Sequence, residues 1–68
     1  MICHLKELRL ARHLSQEELG ELLGATREEV CLWEQGKRLP VPRRRRMVAA
    51  HFGIEPSEIW PLEPRADG

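Results

Sequence analysis

The chain has no tyrosine, one phenylalanine and two tryptophans among its 68 residues. It has only two cysteines, Cys3 and Cys31, and no net charge when histidine is neutral. Each scarcity excludes something. Two cysteines cannot build the disulfide framework of a small secreted domain, which points to a reducing, cytoplasmic compartment. No stretch approaches the roughly 20 apolar residues that a membrane helix needs. The opening MICHLKELRLARH interleaves charges with leucines and so lacks the continuous apolar region of a secretory signal. A chain of 68 residues holds one small core and leaves little room for a deep catalytic cleft, so no enzyme is expected. Taken as an average, zero charge also argues against nucleic acid, whose binders carry a basic excess.

Resolved along the chain, the charge reads differently. Lys6, Arg9 and Arg12 against Glu7 give residues 1–15 a charge of +2. Six glutamates against Arg27 give residues 16–34 a charge of −5. Residues 35–46 hold Lys37, Arg38 and Arg43 to Arg46 with no acid, a charge of +6, and residues 47–68 carry −3. A polyanion feels local potential within about 8–10 Å at physiological salt, so the neutral average hides one strongly basic stretch.

Apolar spacing is helical throughout, and the chain reads as all-α with five short helices. The first spans about 2–13, with Leu5 and Leu8 on its apolar side. Ser15 and Glu18 form a capping box that starts a second helix at Gln16, and Gly24 ends it. Thr26 and Glu29 repeat the box for a third helix over 27–35, which stops at Gly36. Leu39-Pro40-Val41-Pro42 is a loop, because two prolines remove donors and restrict their neighbours. A fourth helix covers 43–52, with Met47, Val48 and Phe52 as its apolar positions. Pro56 opens a short fifth helix over 56–60. Residues 1–61 then form one domain, and the polar tail 62–68 is expected to fray. The expected core is Leu5, Leu8, Leu14, Leu19, Leu23, Ala25, Val30, Trp33, Val48, Phe52, Ile54 and Ile59. Trp60 either covers the end of that core or sits in a dimer contact.

The second and third helices are separated only by Gly24-Ala25-Thr26, which holds them steeply crossed. Leu14-Ser15-Gln16, Leu19, Leu22-Leu23-Gly24, Val30, Trp33-Glu34, Gly36-Lys37 and Pro40 follow in order, and the pattern continues through Phe52-Gly53-Ile54 and Glu58-Ile59. This set resembles the phage repressor and Cro-like, or XRE-type, helix-turn-helix regulators over about residues 4–60. The resemblance implies a compact, lambda-repressor-like domain that binds double-stranded DNA, places its third helix in the major groove and regulates transcription, as a repressor acting as a homodimer. It places Arg27, Glu28 and Leu32 at base-facing positions, for guanine, cytosine N4 and a thymine methyl respectively. It places Gln16, Thr26, Gln35, Lys37 and Arg38 at phosphate-contacting positions, and implies a structural ion pair between Arg9 and Glu34. The dimer contact is expected within residues 53–62, through Ile54, Ile59, Trp60 and Leu62.

Two features depart from the family pattern. Glu28 and Glu29 stand where relatives often carry Gln, Ser, Thr or Asn, and carboxylates are repelled by phosphates unless each finds a donor. Glu29 is read as a capping acid; for Glu28, base readout and a purely helical role both stand. The run Arg43-Arg44-Arg45-Arg46 opposes a helix dipole in its first turn, so Arg43 and Arg44 are read as phosphate ligands. The stem of Arg45 is expected to lie over the core with its head in water. Cys3, His4, His13, Cys31 and His51 lack metal-ligand spacing, and neither a metal nor another cofactor is expected. A different class of function keeps the fold but reads a protein, as an antitoxin-like interaction module would. Non-specific binding through the arginine run is a third reading.

Overall fold

The structure, a computed structural model, describes residues 2–61. It is built from α1 (Leu5–Ala11), α2 (Gln16–Leu23), α3 (Arg27–Glu34), α4 (Pro42–Phe52) and α5 (Pro56–Ile59). No strand occurs among the described residues. The expected tail, 62–68, lies outside them.

Local chemistry sets most boundaries. Ser15 Oγ accepts from the Glu18 amide at 2.9 Å, and Glu18 Oε1 accepts from the Ser15 amide at 2.8 Å. Thr26 and Glu29 repeat the exchange at 3.0 and 2.9 Å, so both capping boxes close as the sequence implies. Gly24 and Gly53 end their helices in the left-handed region, each at φ 71°.

Several boundaries differ from expectation, and α3 ends at Glu34, one residue early. α1 begins at Leu5 rather than residue 2, because the His4 amide donates to the Ile59 carbonyl at 2.9 Å. That bond ties the N-terminal segment to α5 and leaves Ile2 half exposed. At its other end α1 stops at Ala11, and His13 turns the chain with a positive φ of 58°. α4 starts at Pro42, not residue 43, since the fixed φ and missing N–H of proline suit the first helical position. The fifth helix closes one residue early, with Trp60 as its C-cap.

The core gathers Leu5 from α1, Leu19 and Leu23 from α2, Val30 and Trp33 from α3, Val48, Ala49 and Phe52 from α4, and Ile59 with Trp60 from α5. Leu8, Leu14, Ala25 and Ile54 pack around it. Met47 is a correction: it is 52% exposed, on the outer side of α4, and Ala49 takes the inner position instead. Of the residues expected in a dimer contact near the C-terminus, Ile54 is half-buried, Leu62 lies outside the described residues, and the other two are corrected. Ile59 and Trp60 are 0% and 1% exposed and offer no apolar surface to a partner. Trp60 instead seals the end of the core, its indole N–H buried without a full hydrogen bond and facing the Cys3 sulfur.

Candidate nucleic-acid interface

The crossing of α2 and α3 rests on backbone approach. A Cβ on Gly20 would sit 2.6 Å from the Ala25 carbonyl oxygen, closer than a side chain tolerates. The Ala25 amide donates to the Gly20 carbonyl at 2.8 Å across the same contact. α2 therefore lies directly on the turn, and α3 leaves it at a fixed angle. Sequence reasoning missed Gly20; the signal was a lone glycine inside a helical apolar pattern, which marks close packing.

On the outer side of this crossing, Gln16, Arg27, Glu28 and Cys31 line one open cleft of about 360 Å³. The first turn of α2 and the first turn of α3 thus present a polar amide, a cation and an acid to the same space. Arg27 and Glu28 are exposed, whereas Leu32 is half-buried one turn along. Thr26 is exposed at the N-cap, with its hydroxyl oxygen engaged by the Glu29 amide. Glu29 faces its own capping box, so its carboxylate belongs to the helix start and Glu28 alone stands in the cleft.

Gln16 is also tied inward. Its amide nitrogen donates to Glu34 Oε1 at 3.0 Å. Glu34 Oε2 in turn receives Arg9 Nε at 2.7 Å, with Arg9 Nη2 at 3.3 Å from Oε1. Arg9 Nη1 donates to the Leu14 carbonyl at 2.7 Å. This buried network links α1, the start of α2 and the end of α3, and it orients Gln16 at the cleft. An amide nitrogen carries two hydrogens, so one remains for a ligand.

Past α3, Gln35 is the C-cap and its side-chain nitrogen lies 3.4 Å from Cys31 Sγ. Lys37 and Arg38 follow, both exposed, their backbone amides folded back on the Leu32 carbonyl at 3.0 and 3.4 Å. The arginine run divides into two kinds. Arg43 and Arg46 are exposed. Arg45 is half-buried and Nη1 donates to the Pro40 carbonyl at 2.7 Å, so its head is held by protein rather than left in water. Arg44 Nη2 donates to the Gly24 carbonyl at 3.2 Å, and its guanidinium lies 5.4 Å from the Trp33 ring centroid. The start of α4 is thereby drawn to the helix-turn-helix turn, and cations flank α3 at both ends.

The helix-turn-helix family model matches residues 5–59, which is most of the chain. The chain belongs to the XRE-type helix-turn-helix family. Its five helices are the lambda-repressor-like fold, and it is a DNA-binding regulator of a family that is typically non-enzymatic. No curated protein matches the chain. Among the described residues no helix is long and apolar enough to cross a membrane, and no three His, Cys, Asp or Glu side chains cluster as metal ligands would.

Proposed function

We propose that this chain is a sequence-specific, cytoplasmic transcriptional repressor that reads double-stranded DNA by laying α3 in the major groove. The observation that carries the reading is the shared cleft of Gln16, Arg27 and Glu28, flanked by the cations of residues 37–46. Arg27 reads guanine through O6 and N7, Glu28 accepts from cytosine N4, and Leu32 packs on a thymine methyl. Gln16, Thr26, Gln35, Lys37, Arg38 and Arg43 hold the backbone phosphates, and fix the register in which α3 meets the bases.

One module of this size buries only about 600–1,000 Å² on DNA, which is too little for tight single-site binding. The repressor therefore acts as a homodimer on a two-fold site, with half-site centres about 34 Å apart or a multiple of that. Bound over a promoter, such a dimer excludes polymerase.

Selection of bound duplexes from a random library tests the reading. A recovered palindrome with half-sites one helical turn apart is the expected result. Absence of any enriched sequence would sink specific readout and favour the rival interaction module, for which Glu28 on the reading face is the supporting feature.

A further inference from the structure

Through Arg44 the fourth helix meets the helix-turn-helix unit by a charged group. Three independent contacts converge on its guanidinium. Nη2 donates to the carbonyl of Gly24, the residue that ends α2, at 3.2 Å. The guanidinium carbon lies 5.4 Å from the centroid of the Trp33 ring, within the range of a cation–π contact. Glu29 Oε1 lies 3.9 Å from Nη2, and that same oxygen caps the start of α3 by accepting from the Thr26 amide. The Arg44 side chain is only 31% exposed. A cation held over an aromatic face and against a carbonyl is not presented to solvent as a phosphate ligand is.

We infer that Arg44 is a positioning residue, not a phosphate ligand: it clasps the N-terminal end of the reading helix to α4 and fixes the angle at which Arg27 and Glu28 meet DNA. This replaces the phosphate role expected for Arg44 from the sequence, and rests on the DNA-binding reading for its consequence but not for its geometry. It also explains how a helix with two adjacent N-terminal acids lies against a polyanion. Glu29 is engaged by both the Thr26 amide and the Arg44 charge, so the reading face carries Arg27 and Glu28 in balance rather than an acidic pair. A planar fork that stacks and donates at once cannot be replaced by the point charge of lysine.

The test compares Arg44→Lys and Arg44→Ala with Arg43→Ala, all at a temperature where circular dichroism shows each variant folded. Two quantities are read for each: affinity across a salt series for the selected duplex and for a scrambled one, and amide exchange at Thr26 and Glu29 without DNA. Both Arg44 variants are expected to cut the ratio of specific to scrambled affinity about tenfold, about 1.4 kcal/mol, with the salt slope unchanged. Exchange at Thr26 and Glu29 quickens in both. Arg43→Ala is expected to lower the slope by about one and leave the ratio in place. Arg44→Lys matching the wild type in ratio and exchange would overturn the clasp, as would a fall in slope like that of Arg43→Ala. If Arg44→Ala does not fold, Arg44→Lys carries the comparison. If the wild type enriches no duplex, the DNA reading fails by itself, and exchange at Thr26 and Glu29 still decides whether the clasp exists.

Discussion

Arg9 and Glu34 face each other across α1 and α3 at 2.7 Å, with side chains 9% and 4% exposed. Removing water from two charges is costly, and their attraction offsets it only where additional hydrogen bonds help satisfy both groups. Arg9 also donates to the Leu14 carbonyl, and Glu34 also accepts from Gln16, so both charges have further polar partners. Replacing Arg9 with methionine strands the Glu34 carboxylate, and chemical denaturation is expected to show a loss of about 3–5 kcal/mol. The double variant Arg9→Met, Glu34→Leu should recover most of that stability. It should not recover DNA affinity, because Gln16 then loses the acceptor that orients it.

Gly20 and Gly24 separate two reasons for a glycine. At Gly20 the obstacle is a backbone oxygen 2.6 Å from where a Cβ would sit, and a carbonyl cannot swing aside as a side chain can. Gly24 has open space around it but a φ of +71°. Gly20→Ala is expected to cost about 1–3 kcal/mol through overpacking and to change the angle between α2 and α3. Gly24→Ala should cost about 1–2 kcal/mol through backbone conformation alone. Thermal unfolding gives both costs. Amide chemical shifts across α3 should move widely for the first variant and only near the turn for the second.

The sequence showed the helices most clearly where side chains act on their own neighbours. Ser15 with Glu18 and Thr26 with Glu29 announce two helix starts, and Gly24 and Gly53 two ends, because those interactions span only a few residues. What stayed hidden depended on distant partners. α1 is shortened by Ile59, a residue on the last helix, and Gly20 matters because of a carbonyl beyond its own helix. Trp60 is buried although the sequence left it between core and dimer contact. At the interface, Arg27, Glu28 and Gln16 were legible by position in the family pattern. The contacts of Arg44 were not legible, because a run of four arginines gives no sign of which one meets a tryptophan ring.

Cys3 gives a pH signature to the junction between the N-terminal segment and α5. Burial pushes its thiol above the ordinary value of 9.0, more than the nearby Leu5 backbone and Trp60 indole pull it down. A group whose folded pKa is raised favours its protonated form in the native state, so its contribution is complete below the unfolded pKa. It is lost as pH rises from about 9 through the raised value. Unfolding free energy should therefore decline across that alkaline range, and Cys3→Ala should flatten part of the decline. Alkylation of Cys3 at neutral pH should be slow in the native protein and fast in denaturant.

On the proposed DNA-binding reading, the residues around the cleft fall into two classes that salt can separate. Lys37 and Arg38 are exposed cations just past α3 and Arg43 is exposed in the first turn of α4, whereas Arg27 stands in the cleft with Glu28. A phosphate contact releases counterions, so each alanine replacement among the first three should lower the slope of log affinity against log salt by about one. Affinity for selected and scrambled duplexes should fall alike. Arg27→Ala should instead cost about 1–3 kcal/mol on the selected duplex, with a smaller loss on a duplex altered at the guanine it reads. Equal losses on both duplexes would show that Arg27 contributes charge and not readout. Glu28→Gln sharpens the distinction, since it keeps an acceptor for cytosine N4 while removing a repelled charge. It is expected to strengthen binding to scrambled DNA and narrow the preference for the selected site, a pattern that a merely helix-stabilising glutamate would not produce.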